Sequence, residues 1–368
     1  MRSRIQSALL AGAFLGLIAS INQSTTSLAD QVRDAEWPLF AFHASSSVWT
    51  KSTGNKVVVA VIDEGVRASH QDLSAAVLPG KCFYSACSAS VDTSGDGHGT
   101  AMASLIAGRG HGADSTEGVM GLAPSARILP MDAELSSTVS GSEQIANAVR
   151  YATDSGARII DMSFGSGAGS DVLKAAIAYA ESHDVVLVAS AGNDGAAKLS
   201  WPAAYPGVVS VGAVDAEGKP WVDSNYGPGL TLAAPGVNIV AAGANSDSEY
   251  RLSDGTSDAA AYVSAEAALV RAEYPGLTAG QVVNRMVKSA LNPTGRVHDD
   301  HYGYGIIRPD AALTFDIPAG PPEGPLKQVS GAGGAVGTPE AVAAGPVGGE
   351  RQGGVGVGVV GAVGGVAA

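Results

Sequence analysis

Apolar residues along this chain fall into two alternating kinds of segment. Residues 56–62, 127–131, 158–162, 185–189 and 208–214 are short, rich in β-branched side chains and apolar at nearly every position. A strand with one wet face alternates polar and apolar residues, whereas an unbroken run marks a strand covered on both faces. Segments 141–153 and 170–182 instead read as amphipathic helices. Strand and helix patterns alternating in this way predict an α/β fold, a doubly wound and mostly parallel sheet between two helical layers. Sites in such sheets form at the carboxyl ends of strands. Asp63 closes the first run, and Asn193 follows the end of another.

Two further helices matter for chemistry. One follows His98 and the other, alanine-rich over 259–271, follows Ser257. Unpaired N–H groups and the positive dipole end at a helix start suit an oxygen that becomes negative. Gly255 allows close backbone approach beside Ser257. Thr278 with Gln281 forms a capping-box pattern that starts a last helix running to about Ala290.

The ends of the chain differ from its middle. Arg2 and Arg4, the apolar run 8–21 and Ser27-Leu28-Ala29 before Asp30 read as an export signal over 1–29. The run is shorter than the roughly 20 residues a retained membrane anchor needs. Residues 30–55 form an N-terminal extension and 56–315 the main domain. Residues 316–368, rich in Pro, Gly and Ala, are expected to be a flexible tail. The chain of 368 residues is 45% hydrophobic, long enough for one large core. A net charge of −13 argues against nucleic acid or anionic membrane as partner.

Asp63, His98 and Ser257 lie in the contexts Val61-Ile62-Asp63-Glu64-Gly65, Asp96-Gly97-His98-Gly99-Thr100 and Gly255-Thr256-Ser257-Asp258-Ala259. A serine hydroxyl is a poor nucleophile until a positioned imidazole takes its proton, and that imidazole needs a carboxylate to fix its tautomer. Singly, each has an ordinary explanation: a strand-end turn, one of seven histidines, a helix N-cap. In this order and with these flanks, the three resemble the signature blocks of the subtilisin-like serine proteases, or subtilases.

The resemblance covers about residues 37–313. Ala189-Ser190-Ala191-Gly192-Asn193-Asp194-Gly195 is similar to the stretch carrying the family's oxyanion-hole asparagine. Arg33-Asp34-Ala35-Glu36-Trp37-Pro38-Leu39 places the chain nearest the mycosin-like subtilases associated with type VII secretion. The resemblance implies a subtilisin-like fold and a serine endopeptidase with Ser257 as nucleophile, His98 as base, Asp63 as orienting carboxylate and Asn193 as oxyanion donor. It also implies a substrate strand along Ser163-Phe164-Gly165, with Ser190, Ala191 and Gly192 as the other pocket wall. Small residues on both walls suggest room for sizeable apolar side chains. Trp201-Pro202 matches a position where the family proline is cis.

Polypeptide substrate, association with a secretion machinery or cell envelope, and a monomeric, exported protein follow as expectations. A binding domain that holds peptides without cutting them, and an esterase, are the alternatives. The esterase is opposed by the triad order and by Asp161-Met162-Ser163-Phe164-Gly165, which lacks the first glycine of a nucleophile elbow. No cofactor is expected, with calcium the open alternative: Asp92 to Asp96 begins like a calcium loop but lacks the closing glutamate. The glycine-rich 356–361 matches a dinucleotide fingerprint by letter only, with no βαβ unit around it.

Cys82 and Cys87 are expected to pair outside the cell, two unpaired thiols being the alternative. The family's usual folding propeptide finds no room between Asp30 and Lys56. Two departures flank the nucleophile: Asp258 stands where an apolar residue is commoner, and Ala261 replaces a usual proline. The Asp258 charge could act on the imidazole, engage substrate or face solvent.

Overall fold

A computed structural model describes residues 28–85, 87–136 and 138–328. All but the last two residues of the expected export signal, and the glycine-rich stretch beyond 328, lie outside the described residues. The described chain opens with two short helices, α1 (Leu28–Asp34) and α2 (Trp37–Ala41). Next come β1 (Val58–Asp63), β2 (Lys81–Cys82) and α3 (His98–Ala107). A small antiparallel pair, β3 (Arg109–His111) with β4 (Glu117–Met120), follows.

Regular alternation then runs through β5 (Arg127–Asp132), α4 (Val139–Asp154), β6 (Ile159–Met162), α5 (Asp171–Ser182), β7 (Val186–Ser190), β8 (Val208–Val214) and β9 (Leu232–Pro235). A second antiparallel pair, β10 (Ile239–Ala242) and β11 (Tyr250–Ser253), leads into α6 (Thr256–Glu273). Helices α7 (Ala279–Ser289) and α8 (Pro309–Thr314) complete it.

Seven strands form one sheet in the order β2-β5-β1-β6-β7-β8-β9, and every pairing in it is parallel. Each of the five apolar runs became one of its strands. The edge strands β2 and β9 are two and four residues long, too short to leave a pattern.

Successive side chains on a strand point to opposite faces, so each strand feeds two cores. Val59, Val61, Ile128, Ile159 and Val188 pack on one side with α3, α6 and α7. Ala60, Ile62, Leu129, Ile160 and Leu187 pack on the other with α4 and α5. Helix α6 is buried at every position from Thr256 to Arg271. Its alanines let a helix with no wet face lie close against the sheet.

Helix starts follow local chemistry. Ser170 Oγ accepts the Leu173 N–H, and Thr138 Oγ1 accepts the Gly141 N–H, so α4 begins two residues earlier than its apolar pattern. The Thr278–Gln281 capping box is complete. Cys82 and Cys87 are joined as a disulfide, and the Trp201–Pro202 bond is cis. The stretch expected to be a tail from 316 has partners on α7 and its N-cap at least as far as Gly324, with Thr278 Oγ1 donating to the Pro322 carbonyl and Glu323 and Gly324 against Gly280. Arg285 donates to the Ile317 carbonyl, Asn284 to those of Pro318 and Ala319, and Gln281 to that of Gly320.

Candidate active site

Asp63, the last residue of β1, continues the two-residue period of Val59 and Val61 and therefore faces α3 and α6. Its carboxylate is buried; Oδ1 accepts the Glu64 N–H at 2.9 Å. Oδ2 accepts a hydrogen bond from His98 Nδ1 at 2.8 Å. His98 is the first residue of α3, and its N–H is held by Ser94 Oγ and Asp96 Oδ1 at 3.0 and 3.2 Å. Gly99 is required beside it. A Cβ there would stand 2.1 Å from the Gly65 carbonyl oxygen and 3.0 Å from Asp63 Cβ, so a larger residue would push the pair apart.

The aspartates that suggested a calcium loop serve α3. Both Asp92 oxygens accept N–H and O–H groups, one from Ser94 and the other from Thr100.

Ser257 is the second residue of α6 and is 9% exposed. Its Oγ donates to the Ser163 carbonyl at 2.7 Å. The imidazole and carboxylate are thus in contact, while the hydroxyl is turned onto the end of β6 and makes no hydrogen bond to His98. A Cβ added to Gly255 would have Ser257 N at 3.6 Å and Asn193 Nδ2 at 3.8 Å. The two expected oxyanion donors therefore border one small space.

Asn193 is oriented by a residue the sequence did not single out. Its Oδ1 accepts both the N–H and the hydroxyl of Thr256, at 3.0 and 2.7 Å. Thr256 Oγ1 in turn accepts the Gly192 N–H at 3.1 Å. With the amide oxygen so engaged, the NH2 group is left to face Gly255.

The expected substrate strand is supported from beneath. Asp161, fully buried, accepts Ser264 Oγ of α6 at 2.7 Å. Ser163 Oγ lies 2.7 Å from Asp161 Oδ2 and 3.1 Å from the Ser257 carbonyl, and its single proton serves one at a time. Phe164 packs beside the α4 and α5 core. Ser190 and Ala191 are buried. Between the two walls stands Ser200: its Oγ would be 3.2 Å from a Cβ on Gly165 and 2.4 Å from one on Gly192. Asn225 Nδ2 donates to that hydroxyl at 3.4 Å. The space is smaller and more polar than its glycine walls alone suggest.

Charge is concentrated here. Burial disfavours the imidazolium of His98, but the Asp63 charge and hydrogen bond, then the Asp258 and Asp96 charges, outweigh it and hold the ring up to about 9. Burial pushes Asp161 up to about 6 against the hydroxyls of Ser264 and Ser163. It raises Asp258 to about 6 as well, against the Ser253 hydroxyl.

A profile for the subtilase family matches residues 54–305. The chain belongs to the subtilase family. The enzyme class this membership carries is serine-type endopeptidase. Subtilisin DY of Bacillus licheniformis is 37% identical over 264 residues, 70% of this chain and 91% of that protein. Fervidolysin of Fervidobacterium pennivorans is 30% identical over 81% of this chain, which spans 46% of fervidolysin's length.

Among solved structures, MycP1 from Mycobacterium smegmatis superposes with a TM-score of 0.67 at 30% identity, covering 78% of this subtilase and 87% of that chain. The MycP3 protease from the type VII (ESX-3) secretion system has the same score at 35% identity, over 76% and 88%. The mycosin-like character read from the N-terminal stretch is thus matched in three dimensions. Of the groups that sequence reading missed, Thr256 and Asp161 each stand next to, or two residues from, a residue it named. Ser200 stands next to Trp201, which the sequence reading named only for its cis proline.

Proposed function

We propose that this subtilase cuts polypeptides through an acyl-enzyme on Ser257. The observation that carries the reading is the 2.8 Å hydrogen bond from His98 Nδ1 to buried Asp63, at the strand end beside the start of α6. That bond fixes the tautomer in which neutral His98 presents Nε2 as the acceptor. Ser257 Oγ, rotated off the Ser163 carbonyl, gives its proton to Nε2 and bonds to the substrate carbonyl carbon. The carbonyl oxygen becomes an oxyanion held by Asn193 Nδ2 and the Ser257 N–H. Collapse breaks the C–N bond, and His98 returns the proton to the departing amine. Water then repeats the sequence, releasing the acid and restoring Ser257.

The substrate lies extended along Ser163-Phe164-Gly165, its backbone pairing as an added strand. Export by the 1–29 segment, action as a monomer at the cell envelope and service to a secretion machinery belong to the same proposal. The likeness to MycP1 from the ESX-1 type VII secretion system and to MycP3 from the ESX-3 system supports that last element. No cofactor enters the reaction as written.

A second reading, a peptide-binding domain that does not cut, is favoured by one observation: the Ser257 hydroxyl rests on Ser163. A fluorophosphonate probe on the purified protein, followed by peptide mapping, separates the readings. Labelling of Ser257 is the expected result. Labelling of Ser163 would instead mark an esterase, and no labelling at any pH the binding domain.

A further inference from the structure

Asp258 follows the nucleophile, and its side chain is buried rather than facing solvent, 2% of the residue being exposed. Ser253 Oγ donates to Oδ1 at 3.0 Å. Oδ2 would lie 3.2 Å from a Cβ on Gly255, the same position bordered by Asn193 Nδ2 and Ser257 N. A buried carboxylate is therefore fixed at the start of α6, with one oxygen tied to β11 and the other beside the Gly255 position that Asn193 Nδ2 and Ser257 N also border.

The charges around His98 are unbalanced. Asp63 of β1 is bonded to the ring and Asp96 of the preceding loop to the His98 N–H, while the charges of Asp258 on α6 and Asp161 on β6 act on the imidazole through the interior. Arg251 of β11 is the cation acting on Asp258, but its guanidinium is committed to Asp96, donating to the backbone oxygen at 2.9 Å and lying 3.5 Å from Oδ2. A buried negative charge near an imidazole favours its protonated form, and so near the oxyanion space it is poorly screened.

The resting hydroxyl agrees with this balance. An imidazolium has no lone pair to offer, and Ser257 Oγ is found donating to the Ser163 carbonyl instead. We infer that Asp258 is a positioning residue that holds His98 protonated and thereby sets the pH below which this protease is idle. The inference rests on the reading of Ser257 and His98 as nucleophile and base. Its chemical consequence is simple: no proton can pass from Ser257 to His98 until the ring has lost its own. Activity is then restrained at neutral pH and released as the medium turns alkaline, or wherever the Asp258 charge is removed.

The test compares the wild-type chain with Asp258→Asn, which keeps the shape and the Ser253 contact. NMR of isotope-labelled histidine follows the His98 titration, and kcat/KM on a peptide library is recorded against pH. Removing a close carboxylate should lower both the His98 midpoint and the acid limb of kcat/KM by about one unit or more. That is about tenfold faster cleavage on the acid side.

Asp96→Asn, at an exposed carboxylate, should move both by less and only at low salt. Asp258→Ser serves as a second variant if the asparagine form unfolds. An unchanged His98 midpoint in folded Asp258 variants overturns the inference. Should the wild-type chain cut nothing at any pH, the proteolytic reading fails, while the His98 titration still decides the role of Asp258.

Discussion

Both faces of the central sheet are buried, but they are made of different material. On the α4 and α5 side, the buried residues of both helices are apolar or small except Thr153. On the α3 and α6 side, Asp63, Thr100, Ser104, Asp161, Ser257, Asp258, Ser264 and Glu266 are all buried. Burying a polar group costs free energy unless it is hydrogen-bonded, and a charge costs more. Asp161 and Ser264 support Ser163 from beneath, and Ser253 holds Asp258 beside Ser257. One face is scaffold; the other holds the proposed machinery, and the strands between them supply both through the alternation of their side chains.

That contrast predicts which substitutions harm activity and which harm only folding. Ser257→Ala should lower kcat by about 10⁶ if the triad acts as one unit, while thermal unfolding hardly changes. Equal loss of stability and activity would blur the distinction between the faces. Asn193→Ala should cost about 10²–10³ in kcat with a modest change in KM. Steady-state kinetics on both variants reads these effects.

Ile160→Ala, on the scaffold face, should destabilise by about 2–5 kcal/mol in denaturant titration, yet leave kcat of the folded fraction intact. A selective loss of kcat there would break the comparison. Ser200→Gly removes the side chain between Gly165 and Gly192, and should shift cleavage toward larger residues before the scissile bond by about tenfold. Product profiling checks it.

The smallest effect is on the pH dependence of stability. Asp161, fully buried, has its folded pKa raised from 3.8 to about 6. The folded form therefore keeps its proton while the unfolded chain loses it, so this residue makes stability fall between about pH 4 and 6. Asp161→Asn should flatten that part of the curve. An unaltered slope would show that Asp161 is not the buried acid responsible.

The buried strands were legible because continuous β-branched runs have one physical explanation in a sheet covered on both sides. Asp63 and Asp161 could even be assigned a face, since they extend the alternation of Val59, Val61 and Ile159. Edge strands β2 and β9 escaped, being too short to show a period. Asp63, His98, Ser257 and Asn193 stood out as candidates by their flanks. Thr256 did not, because nothing local says that its hydroxyl must turn Asn193.

Residue order and local pattern by themselves determined the layered parallel sheet, the helix starts at His98 and Ser257, and the four residues proposed for acyl transfer. Only the tertiary structure decided which groups touch. It joined His98 to Asp63, rested Ser257 on Ser163, placed Ser200 between the glycine walls and buried Asp258 within electrostatic reach of the imidazole. The reason is range. Backbone propensity and amphipathic period act over a few residues, whereas proton affinity and pocket depth depend on groups tens to more than a hundred positions apart, brought together only when the core closes.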